Sequence, residues 1–221
     1  MNYQGPQPAD FQNVQAFNAA FLVLLRSREN AAHLLAGMPE VLAKRLQSLT
    51  PLQNERLSKA PFLLFSFREC EGAYWDQLFN AGPNLTIFDQ EPVRGRAYAE
   101  LLSAGLGFVW QLARVNTYAA RLVCGASLHW CEQLADRPLL QVIRGAIAAD
   151  VMRLRRAHDA NLWRKLLFAG VAGEKSIRRS ARICALQRLL TETQDSAIGK
   201  TAIAARQIRR PALKVAEDNE A

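Results

Sequence analysis

Apolar residues recur every three to four positions along most of this 221-residue chain, and that spacing belongs to helices that pack through one face. Phe17, Phe21, Leu24, Leu25, Ala32 and Leu35 fall on one such stripe, and Gly37 is a natural stop after it. Pro39 opens a second helix, in which Leu42, Leu46 and Leu49 repeat at helical spacing. Thr50-Pro51-Leu52-Gln53 is a helix start: Thr50 can cap, Pro51 suits the first turn, and Gln53 can return a bond to the cap. From Arg96 onward the same period predicts helices over 96–116, 118–135, 138–157, 160–170 and 174–193. Small residues such as Ala104, Gly105, Ala119, Ala120, Gly125 and Ala126 allow these helices to approach closely. The fold class expected is all-α, an N-terminal helical module followed by a C-terminal multi-helix bundle.

One stretch departs from that period. Pro61-Phe62-Leu63-Leu64-Phe65-Ser66-Phe67 is too short for a typical helix and reads as a buried strand or extended segment. Composition divides the rest. Residues 1–14 are polar with Pro6 and Pro8 and predict a disordered arm. Residues 15–80 form the first module, a turn-rich linker occupies 81–95, the bundle spans 96–194, and 195–221 loses its periodicity and predicts a flexible tail. No apolar stretch approaches the roughly 20 residues of a membrane span, and the polar start lacks the layout of a secretory signal. Four cysteines in a chain of this length predict reduced thiols in a cytoplasmic protein and no disulfide framework.

Charge is distributed unevenly. Residues 1–150 carry 13 Lys/Arg and 13 Asp/Glu, whereas 151–210 carry 14 and 4, a net +10. Lys214 against Glu217, Asp218 and Glu220 gives the last segment a net −2. A cationic excess within 60 residues points to a polyanion, and its bland counterpart is a solvated helical face.

Motifs for chemistry are absent. There is no G-x-S-x-G, P-loop, G-x-G-x-x-G or H-E-x-x-H, and neither catalysis nor a cofactor is expected. Cys124, His129 and Cys131 form the one metal-like spacing. His129 stands roughly 160° from Cys131 around a helix, so core packing of the thiols is the favoured reading. Glu69, Glu71 and Asp76 read as a solvated acidic face.

The basic segment has a suggestive outline. An amphipathic helix around Trp163 is followed by a break at Gly170–Gly173 and a basic helix from Lys175. Helix, glycine-containing turn and basic helix is the plan of a helix-turn-helix, in which the second helix meets bases and phosphates. Arg155, Arg156, Lys175 and Arg179 are expected to neutralise phosphates, with Arg178 or Arg182 nearest to bases. Ile177, Ala181 and Cys184 are expected to pack inward, while Leu186 and Leu189 drift toward the basic side.

Residues 24–69, LLRSRENAAHLLAGMPEVLAKRLQSLTPLQNERLSKAPFLLFSFRE, carry Arg26, Gly37-Met38, Leu46, Leu49-Thr50, Gln53, Leu57, Leu63-Leu64 and Phe67-Arg68 in an order that resembles FlhD, a subunit of the flagellar transcriptional regulator. The resemblance covers about a fifth of the chain. It implies an all-helical dimerising module acting in transcription, in that family beside a zinc-bearing partner. It also implies self-association through Leu63, Leu64, Phe65 and Phe67. Where the family often has a subunit-linking cysteine, this chain has Phe65, with Cys70 beyond it. The zinc cysteines of the partner are absent, and 96–194 has no counterpart in the family. The function expected is a dimeric, DNA-binding transcriptional regulator, and the alternative is a helical adaptor that binds another protein.

Overall fold

The computed structural model describes residues 5–80 and 94–208, the stretch 192–208 as helical backbone. The chain is mostly helical. Its elements are α1 (Pro8–Leu24), α2 (Arg28–Leu34), α3 (Glu40–Gln47), α4 (Pro51–Ser58), β1 (Phe65–Ser66), α5 (Gly72–Asn80), α6 (Arg96–Val115), α7 (Thr117–Cys124), α8 (Leu128–Ala135), α9 (Leu139–Ala148), β2 (Arg153–Leu154), α10 (Ala160–Arg164) and α11 (Lys175–Ile208). A π-helical turn, Lys165–Ala169, continues α10. Among the described residues no helix is long and apolar enough to cross a membrane.

Local chemistry explains most boundaries. Thr50 Oγ1 accepts the Gln53 N–H at 3.2 Å, and Gln53 Oε1 accepts the Thr50 N–H at 3.1 Å, a reciprocal cap that starts α4. The helix expected over 118–135 is two helices. Gly125 takes a left-handed φ of 59°, and Ser127 Oγ then accepts the Trp130 N–H at 3.1 Å and starts α8. The helix expected over 138–157 stops at Ala148. Within the expected arm 1–14, residues 8–14 are helical, because Pro8 occupies a helix first turn and the Gln7 N–H donates to Asp10 Oδ2 at 2.8 Å, while residues 1–4 lie outside the described residues. The helical backbone of α11 reaches Ile208, inside the expected tail. Residues 81–93 of the expected linker and 209–221 of the tail lie outside the described residues.

The apolar run 61–67 is the centre of the molecule. Phe62, Leu63, Leu64, Phe65 and Phe67 are all buried, and β1 pairs antiparallel with β2, Phe65 opposite Leu154 and Ser66 opposite Arg153. An extended segment inside a helical protein must find partners for its backbone groups elsewhere. Asn18 provides two of them, its Nδ2 donating to the Phe62 carbonyl and its Oδ1 accepting the Leu64 N–H at 2.8 Å, and its Nδ2 also donates to the Ser58 carbonyl at the end of α4. The Leu63 N–H donates to the Val123 carbonyl, and Trp75 Nε1 donates to the Phe67 carbonyl. The two expected modules therefore share one core, which runs from Val14 through Phe65 to Leu189.

The burial of this run corrects one expectation directly. Leu63, Leu64, Phe65 and Phe67 face the interior of a single chain, and none presents a surface to a second copy. Seven residues without water-facing alternation satisfy their side chains only when other elements cover both sides.

Candidate functional site

Two polar regions stand out, one at the start of α11 and one along the β1–β2 seam. At the first, α11 packs on the π-turn beside α3 and α4. Its inward stripe is Ala181, Ala185 and Leu189, all buried, while Ile177 is 43% exposed and Cys184 is exposed. Of the three residues expected to pack inward, only Ala181 does, and Leu189 lies opposite to its expected side. The register also decides the arginines. Arg178 and Arg182 flank the inward stripe, half-buried. Arg178 Nη1 donates to the Ala172 and Gly173 carbonyls, and Arg182 Nη2 donates to the Arg56 carbonyl at 2.6 Å. The two arginines expected nearest to bases thus hold the turn and α4 in place.

Lys175 and Arg179, one turn apart, are exposed. Arg164 and Lys165 are exposed on the neighbouring helix, and Lys165 lines a groove with Ser176 and Ser180 of α11. Arg45 of α3 stacks over the Phe168 ring at 5.6 Å, and Arg56 Nη1 donates to the Val171 carbonyl at 3.1 Å. The segments meeting here are α3, α4 and residues 160–182. Together they carry nine Lys/Arg against Glu40, Glu55 and Glu174, a net +6. Glu40 and Glu55 pair with Lys44 and Lys59, and Glu174 accepts from Ser176. Arg45, Arg56, Arg164 and Lys165 were not singled out from sequence, because they reach this end of the molecule only through packing.

At the seam, Arg155 is 3% exposed, which removes it from any phosphate contact. Its guanidinium pairs with Glu69 and donates to the carbonyls of Leu63, Phe65 and Cys124. Its backbone N–H donates to the Leu64 carbonyl at 2.9 Å, and its carbonyl accepts from Trp163 Nε1 at 3.0 Å. Glu69, expected on a solvated face, is the buried counter-charge, whereas Glu71 pairs with Arg68 at the surface. Gly125 leaves room for this arginine, since a Cβ there would stand 3.2 Å from Arg155 Nη1.

Arg156 lies apart from the basic end. One of its nitrogens donates to the Leu189 carbonyl at 3.3 Å, and Leu189 is about 21 Å along α11 from Lys175. Arg156 lines a cleft of about 300 Å³ with Arg68, Cys70, Arg153, Arg155 and His158. Arg68 (φ 58°) and Arg156 (φ 45°) both occupy the left-handed region, at a cost of roughly 1–2 kcal/mol per residue.

Beside the cleft, Asp150 (φ 48°) collects three cationic or titrating neighbours. Its carboxylate is 2.7 Å from Arg94 Nε, 3.0 Å from His33 Nε2 and 3.6 Å from Arg153 Nη1. Burial opposes ionisation of Asp150, but hydrogen bonds from Tyr98 and Arg94 and the charges of His33 and Arg153 outweigh it and hold its carboxyl below the usual range. Burial, then the Arg153 charge, lowers the His33 imidazole in turn. Both groups bind fewer protons folded than unfolded near their transitions, so both favour folding at higher pH. Stability is expected to fall as pH drops through the His33 range and again below the ordinary carboxylate range. Asp150→Asn should flatten the lower limb in urea-unfolding midpoints measured against pH; an unchanged limb would show that Asp150 does not set it.

Cys124 and Cys131 are buried with their sulfurs 4.0 Å apart, and His129 is exposed. The Cys131 thiol is pushed up by its contact with Cys124 and by burial. Among the described residues no group of three or more His, Cys, Asp or Glu side chains could hold a metal ion.

No protein-family model, curated protein or solved structure matches the chain, so a functional reading rests on these residues themselves.

Proposed function

We propose that this chain is a DNA-binding regulator that grips the phosphate backbone with the basic end built by α3, α4, the π-turn and the start of α11. The observation that carries this reading is the net +6 on those segments, whose three carboxylates already have partners of their own. Lys175 and Arg179, with Arg164 and Lys165 beside them, supply the exposed cations. Phosphate contact fixes position, and it is independent of sequence. Arg178 and Arg182 act beneath that surface by holding the turn. The resemblance of residues 24–69 to FlhD supports transcription as the setting.

Four phosphate contacts give a slope of log affinity against log salt of about −4, so binding to a random duplex should weaken by about 10²-fold between about 50 and 200 mM salt. The double variant Lys175→Ala/Arg179→Ala should reduce that slope by about 2. Fluorescence anisotropy with a labelled duplex measures both. No binding by the parent chain at low salt ends the reading.

A second reading has its own observation. A groove of about 340 Å³ lies between the π-turn and α11, lined by Lys165, Ala169, Ile177, Ala181 and Cys184, and Phe168 and Ile183 are exposed. Apolar anchors with a basic rim suit an acidic, amphipathic protein segment. Phe168→Ala would abolish such an interaction and leave the salt slope on DNA unchanged.

A further inference from the structure

The break at Gly125 does more than divide a helix. In one continuous helix Cys124 and Cys131 would stand roughly 10 Å apart along the axis. Gly125 instead takes its left-handed φ of 59°, Ser127 starts α8, and α8 folds back against α7. The two sulfurs come to 4.0 Å, and both residues are 0% exposed. The S–S bond of a disulfide is about 2 Å long, so a further approach of about 2 Å, shared by two side chains, completes it.

The surroundings leave both sulfurs able to react. Cys124 Sγ is committed only to weak bonds, to the Ala120 carbonyl at 2.8 Å and to Cys131. Arg121 lies where its charge favours the Cys131 thiolate, and its Nε is buried with no hydrogen-bond partner among the described residues. The contact with Cys124 and burial outweigh that charge and keep Cys131 protonated at neutral pH. The thiolate is the nucleophile, so the pair reacts slowly and answers to sustained oxidant. Gly125, next to Cys124, lines the seam cleft together with exposed Cys70, which brings a small uncharged oxidant to this corner.

We propose that Cys124 and Cys131 form an oxidative modification site, a dithiol that a peroxide converts into a disulfide joining α7 to α8. One sulfur attacks the peroxide O–O bond, giving a sulfenic acid and a hydroxide that leaves as water with the thiol proton. The second sulfur then attacks the sulfenic sulfur, forms the S–S bond and releases a second water. Two thiols and one hydrogen peroxide thus give one disulfide and two waters, with two electrons passing from sulfur to peroxide oxygen. A partner thiol waiting at 4.0 Å resolves the sulfenic acid before further oxidation. The product gives up the S–H bond to Ala120, while the Cys124 carbonyl keeps its bond from Arg155. This site is independent of the DNA-binding reading.

The test uses the full chain carrying Cys70→Ser/Cys184→Ser, which removes both exposed thiols. The folded protein is treated with hydrogen peroxide, quenched with catalase and denatured, and its free thiols are counted. Two thiols before treatment and none after are expected, with an intact mass lower by two hydrogens and full return of the thiols on adding dithiothreitol. A second measurement needs no variant: a chymotryptic digest of the treated parent chain, cut between the pair at Trp130, should contain Cys124 cross-linked to Cys131. Thiols that persist under peroxide sufficient to oxidise Cys70 and Cys184 of the parent overturn the proposal. So does a gain of oxygen in place of the lost hydrogens, or a digest in which Cys124 is joined to Cys70.

Discussion

Arg155→Ala is expected to destabilise the protein by about 3–5 kcal/mol, because it leaves a carboxylate buried without its partner. Glu69 is 4% exposed and would have to be protonated or hydrated in place. The same substitution strands the backbone carbonyls of Leu63, Phe65 and Cys124, and orphaned buried groups are costly in themselves. Urea unfolding measures the loss. The double variant Arg155→Met/Glu69→Leu should recover part of it, since two apolar side chains need no counter-charge. A variant Arg155→Ala of parental stability and reduced DNA affinity would instead return this residue to the surface role expected from its sequence neighbourhood.

Phe65→Ala is expected to cost about 3–5 kcal/mol as a core cavity. The Phe65 ring stands 5.0 Å from that of Phe21 and 5.4 Å from that of Phe67. Helix α6 comes so close that a Cβ on Gly105 would lie 3.2 Å from the ring. Neighbours packed this tightly collapse poorly around a void. The loss should be the same at every protein concentration, and sedimentation should show an unchanged association state. If Leu63, Leu64, Phe65 and Phe67 joined two subunits, the melting temperature of the parent would rise with concentration and the variant would dissociate.

Several features were legible before any coordinates. The cap at Thr50, the Pro51 first turn and the end of α6 near 116 follow from side chains that satisfy backbone groups a few residues away. The apolar run 61–67 reads from its composition as a buried strand or extended segment, although the family resemblance implied that Leu63, Leu64, Phe65 and Phe67 join two subunits. Other features were hidden for definite reasons. Val151-Met152-Arg153-Leu154 fits a helical period as well as a strand, and only the unpaired backbone of 63–66 draws it into β2. Helix α5 is a single short helix between the apolar run and the turn-rich 81–95, too few residues for its period to be read from the string. Glu69 looks like its acidic neighbours until Arg155, 86 positions later, arrives beside it.

The basic third of the chain shows the division most clearly. From the residue string come the helical class, the cationic excess after residue 150 and the break before Lys175, because period, charge and turn chemistry are local properties. Tertiary structure alone sorted the arginines. A turn of α11 by one residue moves a side chain by about 100°, and packing on Ala181, Ala185 and Leu189 sent Arg178 and Arg182 onto carbonyls while leaving Lys175 and Arg179 in water. A guanidinium has the same formal charge in each of these settings, and its neighbours decide whether that charge binds a partner or holds the fold together.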